Sequence, residues 1–165
     1  MDKENNTNLE IRELQNYAEA EICARIMSNS EPWITLRRDY DASLKTITAS
    51  AREVYLAIVD GEIAGFTILN MHGAFVGYIQ SICVAPHWRN KGIGRQLIAL
   101  AEKRIFSETS NVFICASDFN KDAQRLYEKL GYEVIGELKD YIIAGRSEIL
   151  LRKTIAPLAE FKKKW

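Results

Sequence analysis

A single α/β domain built on a mixed, mostly antiparallel sheet is the fold class this sequence predicts. Three observations predict it. Strand-like apolar runs alternate with segments of helical spacing along most of the chain. The 165 residues are 47% hydrophobic and 27% charged, a balance that fills one ordinary core. No repeat, linker or low-complexity stretch divides the chain, so residues 1–165 read as one unit with a core over about 9–154.

The elements follow in order. LEIREL alternates apolar and charged residues and suggests a first strand. AEAEICARIMS has helical spacing and ends before Ser30. EPWITLRRDYDASLK starts as a loop and becomes a second helix. EVYLAIVDGEIAGFTILNM reads as two strands joined at Asp60-Gly61, because Asp-Gly tolerates the positive φ angles of a tight hairpin turn. VGYIQSICVAP is the next strand and stops at Pro86, which has no N–H for a ladder. A helix is predicted from about Lys91 to Phe106, with Ile93, Leu97, Leu100, Ala101 and Ile105 on one face. NVFICAS is a continuous apolar run suited to a buried strand. NKDAQRLYEKLGY is a short helix stopped at Gly131, and EVIGELKD and SEILLRK close the sheet. The sum is seven strands and four helices. The first ten residues and the tail FKKKW are expected to be loosely held, the lysines as a solvated end.

The seam between the fourth strand and its helix carries the clearest chemistry. Arg89, Asn90, Lys91, Gly92, Ile93, Gly94 and Arg95 crowd a helix start. Such a start leaves backbone N–H groups unpaired and carries partial positive charge, so it accepts an anion. Glycine there lets the backbone come close to a ligand. The stretch reads as a pyrophosphate cradle; the bland alternative is a helix start with incidental glycines. No GxxxxGK[ST] occurs, and no third glycine completes GxGxxG, so neither a Walker loop nor a dinucleotide fingerprint is present.

Arg-x-x-Gly-x-Gly after Val-Ala-Pro and before an amphipathic helix resembles the acetyl-CoA motif of the GNAT superfamily of N-acetyltransferases. A second segment, from Asn120 through Ala123 and Tyr127 to Gly131 and Tyr132, is similar to that family's Asn-x-x-Ala-x-x-x-Tyr-x-x-x-Gly-Phe/Tyr pattern. The resemblance covers most of residues 9–154 and implies a sheet that splays near the coenzyme site. It implies acetyl-CoA as co-substrate, held at the pyrophosphate by the amides of the cradle. Asn120 and the main chain of Cys83 and Val84 would meet the pantetheine arm. Tyr127 would be the catalytic residue, giving a proton or hydrogen bond to the departing thiolate. Asn120, Ala123 and Tyr127 share one stripe of their helix, with the small Ala123 leaving room between the other two. Read from the helix alone, Asn120 is equally an N-cap and Tyr127 a packing residue.

The acceptor would be an amine, of a small molecule or of a protein, and the resemblance does not say which. The family's usual glutamate near the central strand has no counterpart, since no Asp or Glu lies between Glu62 and Glu102. Asp118, Glu31 or water are the candidates for the base. His72 and His87 are isolated, and Cys83 has no activating base nearby in sequence. Trp33, with Glu31 and Asp39 around it, suggests either an aromatic, acidic pocket for a cationic amine or ordinary packing.

The remaining features are mostly exclusions. The formal net charge is zero, so nothing supplies the positive field that nucleic acid needs. No apolar run is long enough for a membrane span, and MDKENNTNLE is too polar for a signal peptide. Cys23, Cys83 and Cys115 are odd in number and form no CxxC, which points to reduced thiols in the cytoplasm and to no metal. The oligomeric state is left open, a homodimer included. Two alternatives to the enzyme remain: a non-catalytic acyl-CoA-binding module and an unrelated nucleotide-binding regulatory domain.

Overall fold

A computed structural model describes residues 8–163. The elements are β1 (Leu9–Glu13), α1 (Tyr17–Ser28), α2 (Tyr40–Ile47), β2 (Arg52–Val59), β3 (Glu62–Asn70), β4 (Tyr78–Val84), α3 (Ile93–Phe106), β5 (Asn111–Ser117), α4 (Lys121–Lys129), β6 (Glu133–Lys139) and β7 (Ser147–Thr154). Two short 3₁₀ turns, Pro86–Trp88 and Leu158–Glu160, complete the set among the described residues. All seven strands and four helices expected from the sequence are present. The strands form one sheet in the order β1-β2-β3-β4-β5-β7-β6.

Three local details differ from the sequence reading. The first strand starts at Leu9 as expected, but Leu9 and Glu10 are paired with Val59 and Ile58 rather than loosely held; residues 1–7 lie outside the described residues. Helix α3 starts at Ile93 rather than Lys91, because Gly92 takes the left-handed conformation (φ 82°) that a right-handed helix cannot include. Near the C-terminus, Lys163 pairs with Glu108 at 2.5 Å. The expected solvated lysine end therefore has at least one partner; Lys164 is outside the described residues.

The helices cover the sheet on both faces. Helix α1 buries Ala20, Cys23, Ala24 and Met27 against Leu56, Phe66 and Ile68 of β2 and β3. The small residues let the helix lie close, and Phe66 fills the space they leave. On the opposite face α3 and α4 bury Ile98, Ala101, Ile105 and Tyr127 against Val112, Ile114, Ala116 and Leu151. Helix α3 is further tied to β2 by Arg104, whose Nε and Nη2 donate to the two Glu53 oxygens at 2.8 and 2.7 Å.

Every neighbouring pair of strands but one is antiparallel. The exception is β4 with β5, and its ladder is short. Only Tyr78↔Phe113 and Ile79↔Ile114 are partners before the two strands part. The closed end of this V is held at Gly77, whose carbonyl accepts from Phe113 N at 2.9 Å. Gly77 has φ 90°, and a Cβ there would sit 2.5 Å from the Asn111 carbonyl oxygen and 2.5 Å from Ile105. Only glycine meets both demands. Gly77→Ala is therefore expected to destabilise the protein by about 2–4 kcal/mol, from left-handed strain plus overpacking. Thermal denaturation should show a midpoint lower by roughly 5–15 °C. A midpoint within a degree of the parent would mean that the closed end of the V can relax.

Candidate active site

The V between β4 and β5 opens a cleft that passes through the sheet. Because the two strands are parallel, both C-terminal ends meet at its mouth, and the helix after each strand starts there. On the α4 side the cleft is lined by Asn120, Ala123 and Tyr127, together with Ile82, Ile114 and Ala116. The stripe read from the sequence thus faces one cavity. On the other side the lining is Trp33, Leu36, Tyr78, Gln80, Cys115, Ser117, Ile142 and Glu148. The enclosed volume is about 90 Å³.

The cradle lies beyond the end of β4. Asn90 (φ 59°) and Gly92 (φ 82°) turn the chain into α3. Gly92 is the N-cap and no side chain caps the helix. The first intrahelical bond is Gln96 N to Gly92 O at 3.2 Å, so the amides of Ile93, Gly94 and Arg95 have no helical acceptor. A Cβ on Gly92 would meet nothing within 4 Å, and one on Gly94 would meet only Val84 at 3.8 Å. No acidic residue sits in the first turn of α3, while Arg89, Lys91 and Arg95 are exposed around it. Two of these cations also shape the loop. Arg89 Nε donates to the Val84 carbonyl at 3.1 Å, and the Lys91 ammonium sits 4.6 Å from the centre of the Trp88 ring.

Other expected residues fall as follows. Asn120 is the N-cap of α4, its Oδ1 accepting from Ala123 N at 3.2 Å, so its NH₂ is what remains to donate to a ligand. Tyr127 is 8% exposed, and burial pushes its hydroxyl well above the ordinary tyrosine range. Cys83 is buried against α1 and is a register partner of Phe66 on β3, with burial pushing its thiol up to about 12. Glu31 caps its own turn, accepting from Thr35 N and Thr35 Oγ1 at 3.1 and 3.0 Å. Asp39 caps α2 through Ala42 N. Asp118 accepts from Ser147 N at 3.1 Å and lies 3.6 Å from Arg146, fastening β5 to β7. None of these three carboxylates lines the cleft. Trp33 does, while His87 is exposed and paired with Glu62 at 2.7 Å, and His72 is exposed on a turn.

The sequence reading missed Glu148. It stands on β7 opposite Ser117, whose hydroxyl donates to Oε1 at 2.6 Å. It is 6% exposed, and burial holds its carboxyl above the usual range; Asp118 pushes the same way and Ser117 opposes. In SEILLRK it reads as one outward charge of a strand, and the covering chain at Trp33 and Ile142 is not adjacent in sequence.

Comparison with known proteins decides the family. Residues 14–132 match the model of the Acetyltransferase (GNAT) family. The chain belongs to that family. Within it, the chain is 32% identical over 84 residues to aminoalkylphosphonate N-acetyltransferase of Salmonella typhimurium, a match of 47% of this chain. That match spans about half the length of the relative, 54%. Among solved structures, a GNAT-family protein from Desulfovibrio desulfuricans superposes with a TM-score of 0.75 at 22% identity, over 90% of this chain and all of that one. An aminoglycoside 6'-N-acetyltransferase complexed with coenzyme A superposes at 0.72 and 18%, over 90% and 98%. At these identities the superpositions establish the GNAT fold. No helix among the described residues is long and apolar enough to cross a membrane.

The cradle generates a test of main-chain against side-chain binding. Gly94→Val has room to fold, yet fills the approach to the free amides. Arg95→Ala removes only an exposed, solvent-screened charge. Calorimetric titration with acetyl-CoA should show a loss of ~30-fold or more for Gly94→Val, against a few-fold for Arg95→Ala, since removing an exposed charge is worth about 1 kcal/mol or less. The reverse order would move the binding energy onto the side chains.

Proposed function

We propose that this protein is an N-acetyltransferase that moves an acetyl group from acetyl-CoA to a primary amine by direct attack, with both substrates bound in one cleft. One observation carries the reading: a single cleft between β4 and β5 is lined by the α4 stripe and by the aromatic and acidic residues Trp33, Tyr78 and Glu148. An acyl donor and an acceptor can enter from opposite faces and meet between the strands.

The residues fit acetyl-CoA. The uncapped start of α3 offers three free amides to the pyrophosphate, and the space a Cβ would take at Gly92 is open. The Asn120 NH₂ and the main chain at Cys83 and Val84 would hold the pantetheine arm. Arg89 already occupies the Val84 carbonyl, which leaves the amide of that residue as the group to offer. Acetyl-CoA supplies a thioester carbonyl that an amine can attack. Tyr127 is the proton donor to the departing sulfur. Its burial among apolar groups keeps the hydroxyl protonated across the assay range, so it has a proton to give. The free, mostly buried cysteines suit a reducing cytoplasmic setting.

Tyr127→Phe tests the chemical role. The ring and its contact with Tyr132 (centroids 5.9 Å apart) are kept, and only the hydroxyl goes. Single-turnover acetyl transfer is expected to slow by about 10²–10⁴-fold, with acetyl-CoA affinity unchanged within a factor of three. Normal turnover in the folded variant would assign Tyr127 to packing. Absence of thiol release from the parent protein with every amine tried would favour an acyl-CoA-binding module.

A further inference from the structure

Glu148 is an anomaly of the fold. A buried carboxylate ordinarily has a cation beside it, because an unpaired buried charge is costly. Among the described residues, Ser117 is the one side chain that donates to it. Cations on neighbouring segments have other partners: Arg146 faces Asp118 and lies over the Phe119 ring, Lys153 donates to Glu102, and Arg52 donates to Gln80, itself a lining residue. Among the described residues, no Lys, Arg or His lines the cleft. The groups that face Glu148 are Tyr78 from β4, Cys115 and Ser117 from β5, Asp118 beyond β5, and Tyr141 from the β6–β7 connection by way of Tyr78. All are neutral or negative.

We infer that Glu148 receives the acceptor: it binds a primary ammonium whose neighbouring atoms carry no negative charge, and it takes the proton that the nitrogen must lose before attack. The inference rests on the acetyltransferase reading of the cleft. The lining explains the selectivity. Trp33, Leu36, Tyr78 and Ile142 offer aromatic and apolar walls to the body of the amine, and nothing cationic to a carboxylate or phosphonate beside it. The space of about 90 Å³ is large enough for an aminomethyl group. Two sources share this chemistry, a small uncharged-bodied amine and the α-amine of a peptide.

Protons balance as follows. The ammonium loses one proton to the Glu148 carboxylate, and the neutral nitrogen forms the C–N bond as the C–S bond breaks. The nitrogen then loses a second proton. One of the two ends on the thiol and the other leaves through Glu148 to solvent. Ser117 is a positioning residue, holding Oε1 by its hydroxyl.

The test uses Glu148→Gln and Ser117→Ala with phenethylamine, an alanyl-peptide amide, glycine and aminomethylphosphonate as probes. Calorimetry in the presence of CoA reads amine binding without turnover. Phenethylamine or the peptide amide should bind the parent at least tenfold tighter than glycine or aminomethylphosphonate, and the preferred one names the source. Glu148→Gln should lose that binding by 30-fold or more while acetyl-CoA affinity stays within threefold. Its thermal midpoint at pH 8 should equal or exceed the parent's, because a buried unpaired charge has gone. In the parent, kcat/KM for the amine should fall on the acid side with a midpoint above the ordinary carboxylate range. That limb should vanish in Glu148→Gln and move to higher pH in Ser117→Ala, which loses the bond that favours the ionised form. Tighter binding of aminomethylphosphonate than of phenethylamine overturns the inference. So does an acid limb retained in Glu148→Gln, or a midpoint that falls with unchanged amine binding. If the parent binds acetyl-CoA and the amines yet releases no thiol, the enzyme reading fails while the ammonium site stands.

Discussion

The two-pair ladder between β4 and β5 is the constraint on which the rest of the molecule depends. Parallel partners normally run on until a strand ends. Here they separate after Ile79 and Ile114, and beyond that point β4 keeps β3 on one side but has no strand partner on the β5 side. Unpaired main-chain groups in a sheet interior are costly, so the gap must be satisfied by something else. Arg89 supplies part of the answer by folding back on the Val84 carbonyl. The same divergence sets where everything else stands. It spreads the ends of two parallel strands, so the starts of α3 and α4 stand at one mouth. It also lets the two faces of the sheet communicate, which a continuous ladder would forbid. Gly77 is the small residue on which this geometry turns: the close approach of its carbonyl to Phe113 N closes the V at one end so that it opens at the other.

How much of this was legible follows from the range of the interactions. Strand and helix identities are local, and periodicity, Asp60-Gly61 and Gly131 placed nearly all of them. The uncapped start of α3 was legible because Gly92, Gly94 and the free amides belong to one turn. The stripe Asn120-Ala123-Tyr127 was legible because helical spacing alone aligns it. The strand order was not, since β7 inserts between β5 and β6 and no local pattern says so. The start of α3 was misjudged because φ at Gly92 is not visible in the letter G. The acidic side of the site was misplaced for a related reason. Glu31 and Asp39 stand near Trp33 in sequence, but both are consumed by local capping bonds. Glu148 is about 115 residues from Trp33 and meets the same cavity only through the sheet.

A chain with zero net charge still separates its charges by function. The α3 mouth gathers Arg89, Lys91 and Arg95 around free amides, with no acid in the first turn. Among the described residues, the cleft is lined by one carboxylate, Glu148, and no cation. The α3 start and the cleft therefore differ in the sign of their charge, and under the proposed function an anionic coenzyme and a cationic amine would be drawn to different places. The cations at the α3 start are exposed and act at short range in solvent, whereas Glu148 is buried, so its charge is felt more strongly.

The acidic chamber carries a thermodynamic signature of its own. The folded state holds the Glu148 carboxyl above its ordinary range. A carboxyl raised on folding favours the native state when protonated, so this contribution is present at low pH and is lost as pH rises through the folded value. Wherever the carboxyl is ionised, it is so at a cost to the fold. An ammonium placed beside it reverses the sign. The cation favours the ionised form, draws the carboxyl back down, and returns the lost stability as binding energy. Linkage makes the two effects one quantity: whatever the amine contributes to lowering that ionisation, the ionisation contributes to holding the amine. A fold that had only to be stable would place a leucine or a glutamine at this position. Retaining an unpaired carboxylate beneath Trp33 makes sense for a protein whose missing cation arrives with the substrate.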